Sequence, residues 1–437
     1  MSTINIIKDK ARELGTTQAD ALQPIRSAAL ASFDKLGVPA VKHEEWKYTR
    51  ISQLFNQSYK IGTDTVDSKL NWELFRLPEF ETANELVFIN GVYNAAASTV
   101  RSAGLVVLPL EEAAKGEYAS IVSKHLGHSA EYLKDGINAL NTSFLVGGVF
   151  IGVNRSTEIE HPVYIYTIND GRAENVFAQP RTLVHVAANA GVMFVETYGS
   201  IGHADHFTNQ VMEVVVEQDA RIEYYKIQND HAGASLVSTT HFRQVGKSYV
   251  HAVTISLNGA MVRNNLNMVM EAEYCESNMY GLYFTSDSCH VDNHTIVDNA
   301  KPHCLSNEYY KGILDGASTG VFNGKIFVRQ DAQKINAFQS NKNILLSDTA
   351  SVYTKPQLEI FADDVKCSHG CTIGRLDEEG LFYLRSRGIT EATAKSLLLH
   401  SFAVDILEQV KPDAIRVYID QLISERLGSY YGNAYPI

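Results

Sequence analysis

The chain is poor in cysteine, has no excess of positive charge and contains no long apolar run. Its five cysteines, an odd number, make no complete disulfide framework, and none forms the Cys-x-x-Cys pair of a zinc ribbon or thiol redox site. Lysine and arginine total 38 against 50 acidic residues, a formal net charge of -12. Phosphate binding needs a basic surface, so this balance argues against a nucleic-acid binder. The longest apolar stretch, residues 144–153, is far short of the ~20 residues that span a bilayer and is interrupted by Gly147, Gly148 and Gly152. The N-terminal MSTINIIKDK has no apolar signal core. A cytoplasmic protein without a membrane partner is expected, so the sequons at Asn56, Asn141, Asn154 and Asn293 are chance matches.

What is present is an ordinary globular composition, 45% hydrophobic and 20% charged over 437 residues, which excludes global disorder. That length makes two or three domains of roughly 100–200 residues, or one elongated one. Three textures divide it. Residues 1–145 are mixed and mainly helical: 4–14 and 18–36 carry helical spacing, with Thr17 a candidate N-cap, and 108–140 reads as largely helical. Within this region, residues 86–94 read as a strand entering an Asn-Gly turn. Residues 146–374 are a succession of short β segments, such as PVYIYT (162–167), MEVVVE (212–217) and KIFVR (325–329). Turn pairs separate them: Ala190-Gly191, Gln218-Asp219, Asn258-Gly259, Asp315-Gly316 and Asn323-Gly324. No helical crossover interrupts the segments, which argues against βαβ units. A sandwich or barrel of this size would be unusually large. A β-solenoid with strand pairs recurring at about 20 residues fits better.

Residues 375–437 switch to a helical period. Thr390 is the expected N-cap of one helix and Pro412 opens the next, while Gly388 and Gly428 act as stops. Phe402, Ile406 and Val410 form a stripe suited to core packing. The tail from Gly428 to the end reads as loose.

Two catalytic patterns fail on context. Gly246-Lys247-Ser248 resembles the end of a phosphate-binding loop, but His241 stands where the leading glycine belongs and a strand follows instead of a helix. Gly316-Ala-Ser318-Thr-Gly320 matches the nucleophile elbow, but β sequence follows it as well.

Two constellations carry metal-ligand chemistry. His290, Asp292 and His294 alternate along one strand and share a face. They form either a solvated polar ladder or part of a metal site. Cys367, His369 and Cys371 likewise share a strand face, with thiolate and imidazole donors suited to iron, copper(I) or zinc. One strand supplies only a neighbouring pair of ligands, so the rest must come from another rung or another subunit. Cys275, Cys289 and Cys304 read as packing residues, and Glu359, Asp363 and Asp364 as a solvated turn.

Residues 355–360 (KPQLEI), 363–374 (DDVKCSHGCTIG) and 381–389 (LFYLRSRGI) closely resemble the SufB/SufD family of iron–sulfur cluster assembly proteins. EEWKYT (44–49), VFING (87–91), DNHT (292–295), YKG (310–312) and VFNGKI (321–326) support the resemblance, which covers essentially the whole chain. The 44–49 stretch is similar to the SufD branch. SufB carries a sulfur-handling cysteine on the strand matching 338–346, where this chain has Asn341. Relatives often have Val-Asp-His where this chain has Val297-Asp298-Asn299, which removes one candidate histidine ligand.

The resemblance implies a right-handed parallel β-helix flanked by helical ends, and a non-catalytic scaffold. A SufB-like subunit would pair through β-helix strands, and a SufC-like ATPase would bind the C-terminal helices. His369 and Cys367 would be metal ligands for iron or a nascent iron–sulfur cluster, held transiently at the partner interface. No tightly bound cofactor is expected in the isolated chain, where a homodimer is possible. Two other classes compete: a β-helix carbohydrate-active enzyme, which would need paired carboxylates in a cleft, and a structural homodimer joined at a β edge.

Overall fold

A computed structural model describes residues 3–17, 20–62 and 70–431. It is a mainly β chain, 42% strand against 25% helix, built as a parallel β-solenoid of about 8 turns with helices at both ends. Each turn contributes one strand to each of two sheets, and each strand pairs in parallel with its counterpart one turn on. In the first sheet His206 pairs with Ala234, Met261 with His290, and Thr319 with Ser351. In the second, Arg221 pairs with Tyr249, Glu276 with Leu305, and Ile335 with Val365.

The rung is longer than the spacing of about 20 residues expected from the sequence. Register partners on successive rungs lie 26 residues apart at Thr239 and Asn265, 29 at Arg263 and Asp292, and 31 at Glu308 and Gln339. The reason is strand length: both strands of a rung run 10 residues, as in Met261–Met270 and Glu276–Thr285, before the turns are added.

Three packed layers follow from the burial pattern. Strands such as Val149–Val153 and Met261–Met270 are buried throughout, because both of their faces are covered. Between the sheets lie Val184, Phe194, Met212, Phe242, Met268 and Phe322. Phe33, Trp46, Phe55 and Ile137 of the N-terminal region cover the outer face of the first sheet at Phe177, Phe207 and Val237. Leu399, Ile406, Val410 and Ile419 cover the second sheet at Val195, Val253 and Leu282. The expected stripe therefore packs as core.

The N-terminal helices are α1 (Thr3–Thr17), α2 (Gln23–Leu36), α3 (Leu110–Ala113), α4 (Ala119–His125) and α5 (Gly136–Ser143). Helical structure over 108–140 is thus broken into short pieces. Thr17 ends α1, and the N-cap of α2 is Leu22, with proline in its first turn. The strand Asn84–Ile89 enters its turn as read: Asn90 (φ 51) and Gly91 (φ 84) both take the left-handed conformation that a two-residue hairpin requires.

The C-terminal helices are α6 (Glu378–Ser386), α7 (Glu391–Leu407) and α8 (Asp413–Tyr431). Thr390 caps α7 by accepting from the Thr393 amide, and Gly388 (φ 88) follows the end of α6. Gly428 does not stop α8, which continues to Tyr431; no left-handed conformation breaks it there. The rest of the tail, 432–437, lies outside the described residues. Asn323-Gly324 is not a turn but the middle of the strand Thr319–Val328. A Cβ on Gly324 would meet the Gln339 side chain at 2.1 Å, so the glycine makes room for a side chain crossing between the sheets. No described helix is long and apolar enough to cross a membrane.

Candidate functional site

The solenoid ends on two strands that each have a single neighbour. Among the described residues, Ser351–Ile360 pairs only with Thr319–Val328, and Val365–Gly374 only with Ile335–Leu345. Cys367, His369 and Cys371 lie opposite Ala337, Gln339 and Asn341, all three of which are buried. The register extends that inward face onto the last rung, where no further rung among the described residues covers it. Cys367 is half-buried against the core between the sheets, whereas His369 and Cys371 are exposed. Burial raises the Cys367 thiol, and the Ala337 backbone amide offsets part of that rise. Ile373, on the same face, is 51% exposed, and Tyr353, Ile360 and Phe361 leave further apolar surface open nearby. Asp363 and Asp364 are exposed on the turn between the two strands.

This face brings donors together without completing a site. Among the described residues, Cys367, His369 and Cys371 are not part of any group of three ligand atoms within 4.8 Å of one another. Asn341 is held by its neighbours. It is buried, its Nδ2 donates to Tyr283 Oη at 3.2 Å and to the Tyr310 carbonyl at 3.3 Å, and its Oδ1 accepts from Asn343 at 2.7 Å.

His290, Asp292 and His294 share a face as read, but it is not a solvated ladder: residues 44–49 lie over it. Thr49 Oγ1 meets His290 Nε2 at 2.9 Å and also donates to Asp292. Arg263 Nη1 donates to Asp292 Oδ2 at 2.8 Å. His294 Nδ1 donates to Asp292 Oδ1 at 2.7 Å, and its Nε2 accepts from Asn323 at 2.7 Å. Burial alone would raise the Asp292 carboxyl, but His294 and Arg263 outweigh it and hold it well below the carboxylate range. Both nitrogens of His294 are committed, and these contacts tie the N-terminal segment to the solenoid. A cleft of about 410 Å³ opens beside it. Among the charges that line it, Lys325 pairs with Glu45, and Arg329 with Asp298.

One group escaped the sequence reading: His206, Asp230 and His231 gather in space. They lie about one rung apart in the chain, a spacing visible only once the rung length is known.

Residues 167–402 match the family model for the SUF system FeS cluster assembly, SufBD core domain, and residues 2–165 match the SufBD protein N-terminal region. The chain is 30% identical over 441 residues to an iron–sulfur cluster assembly SufBD family protein of Synechocystis, covering 97% of this chain and 95% of that one. It is 28% identical to the iron–sulfur cluster assembly protein SufD of Escherichia coli, over 90% of each chain. Against SufD of Bacillus subtilis the identity is 22%, over 93% of this chain and 94% of the relative.

Proposed function

The chain belongs to the SufBD family of iron–sulfur cluster assembly proteins, and from that premise we propose that it is a SufD-type scaffold rather than a catalyst. It pairs with a SufB-like subunit through its last rung. Iron, or the nascent cluster, is cargo held between the two chains, with His369 and Cys367 as this chain's ligands. The observation that carries the reading is the open last rung: an inward-facing row of cysteine and histidine donors on a strand with no outer neighbour. His369 binds as neutral imidazole. The Cys367 thiol, raised by burial, gives up its proton when a cation arrives, because thiolate is the ligating form. Asn341 offers no thiol, so sulfur enters from the partner.

A SufC-like ATPase binds the C-terminal helices. Supporting this, α6 has no buried residue and leaves Phe382 75% and Tyr383 56% exposed. Because α6 joins the last strand to α7, movement of these helices by the ATPase strains the seam that holds the cargo.

The test is co-purification of the chain with SufB and SufC from the same cell, followed by anaerobic reconstitution with iron and sulfide. Wild type is expected to recover both partners and develop visible cluster absorbance. His369→Ala is expected to recover both and develop less. Recovery of neither partner sinks the scaffold reading, and unchanged absorbance in the variant removes His369 from the site. A stable homodimer by light scattering that excludes SufB would favour the structural-dimer alternative.

A further inference from the structure

We propose that His206, Asp230 and His231 form a second metal site, distant from the last rung, which takes a divalent transition cation of the zinc(II) or iron(II) class. Asp230 and His231 sit in the turn between the strands Arg221–Asn229 and Ala234–Gln244. His206 opens the strand His206–Val216, and Ser200 lies near the end of Gly191–Gly202. Since His206 pairs with Ala234, the turns of two successive rungs stack at this corner and bring the residues together.

One nitrogen of each histidine and one Asp230 oxygen all lie within 4.8 Å of one another. His206 Nε2 and Asp230 Oδ2 are 3.1 Å apart. Two ligands on one tetrahedral ion, with bonds of roughly 2.0–2.1 Å, stand about 3.3 Å apart, so little movement is needed to admit a cation. The pieces that orient such ligands are also in place. The His231 amide donates to Asp230 Oδ1 at 2.8 Å, and Ser200 Oγ donates to Oδ2 at 2.7 Å.

His231 Nε2 is buried with no hydrogen-bond partner, and it becomes a ligand when the ring proton moves to Nδ1 and the Gly233 contact at 2.9 Å is given up. A cavity of about 20 Å³ lies against His206 and Asp230, room for one small particle. Asn169 lines the same cavity, and its Oδ1 is also buried without a partner. A nucleophilic Ser–His–Asp reading fails on geometry. Ser200 at 2.9 Å and Asp230 at 3.1 Å both meet His206 Nε2, whereas a triad places serine and carboxylate on opposite nitrogens.

The experiment is a titration of the metal-stripped full chain with cobalt(II), followed by displacement with zinc(II). One equivalent of cobalt with tetrahedral ligand-field absorption is expected. His206→Gln and Asp230→Asn should each weaken binding at least tenfold, and Ser200→Ala, which removes a positioning hydroxyl, by about tenfold. His369→Ala and Cys367→Ser should leave it unchanged, which separates this site from the scaffold reading. No cobalt absorption, or absorption unaffected by both His206→Gln and Asp230→Asn, overturns the proposal. So does absorption lost only in the Cys367 or His369 variants. Anomalous scattering from crystals of the zinc-loaded chain tests the location without any variant: density at the 206/230/231 corner supports the site, and density only elsewhere refutes it.

Discussion

Arg263 lays its guanidinium over the Trp46 ring, 3.8 Å from the centroid, and the same side chain grips Asp292 at 2.8 Å. One arginine thus ties the N-terminal segment to the third-last strand of the first sheet. Trp46 is fully buried, and its Nε1 donates to Asp135 at 3.1 Å, the residue that caps α5. Trp46→Ala is expected to cost about 3–5 kcal/mol in urea unfolding. Trp46→Phe, which keeps a ring but leaves Asp135 without its partner, should cost about 1–2 kcal/mol. Equal costs would mean that the hydrogen bond, not the packing, holds the segment.

Glu308 is buried between the sheets, and burial pushes its carboxyl up to about 7 despite a 2.6 Å hydrogen bond from Gln339. The folded chain binds this proton more tightly than the unfolded chain. Its contribution is therefore favourable below the unfolded value and is lost as pH rises from about 4.5 to about 7. Glu308→Gln keeps an acceptor for Gln339 and removes the titration. The variant should gain stability above pH 7, on the order of 3 kcal/mol at most, and lose that advantage below about pH 4.5. Thermal unfolding across that range checks it, and a pH-independent difference would contradict it.

Lys311 is buried, and its Nζ donates to Asp405 at 2.6 Å and to the Phe402 carbonyl at 2.7 Å, both on α7. Because Asp405 is half-exposed, Asp405→Asn should cost only about 1–2 kcal/mol. The loss should be local: hydrogen exchange of α7 amides should accelerate while strands of the first sheet stay protected. A uniform increase across the chain would contradict that placement.

Ile373 stands on the open face with Cys367 and His369 and is half-exposed. Ile373→Lys should change the stability of the isolated chain by no more than about 0.5 kcal/mol. In the co-purification it should sharply reduce recovery of SufB and leave recovery of SufC intact. Full recovery of SufB would move the seam away from the last rung.

The features legible in the sequence were those fixed locally. The Thr390 cap, the Asn90-Gly91 turn and the helical stripe through Ile406 depend on neighbours a few residues away, and each stands where it was read. The solenoid itself was legible because its middle has no helical crossover. The rung length was not, because it is set by pairing between residues 26 to 33 apart, from Thr239 with Asn265 to Val149 with Thr182. That same blindness made Asn323-Gly324 look like a turn and hid the meeting of His206 with Asp230. The face shared by Cys367, His369 and Cys371 followed from strand alternation alone. The openness of that face did not, since only the strand order shows that no rung follows.

The rung-on-rung pairing also sets how the molecule comes apart. In a stack where each layer touches only the next, folding is close to one-dimensional, and stability is a sum of layer and nearest-neighbour terms. The final layer has one neighbour instead of two, so it is the natural starting point for unzipping and the first place for a protease to gain purchase. A partner seated there supplies the missing neighbour and slows unravelling of the whole stack from that end. Assembly and kinetic persistence are then one property, measured equally well by a binding curve or by the lifetime of the chain under proteolysis.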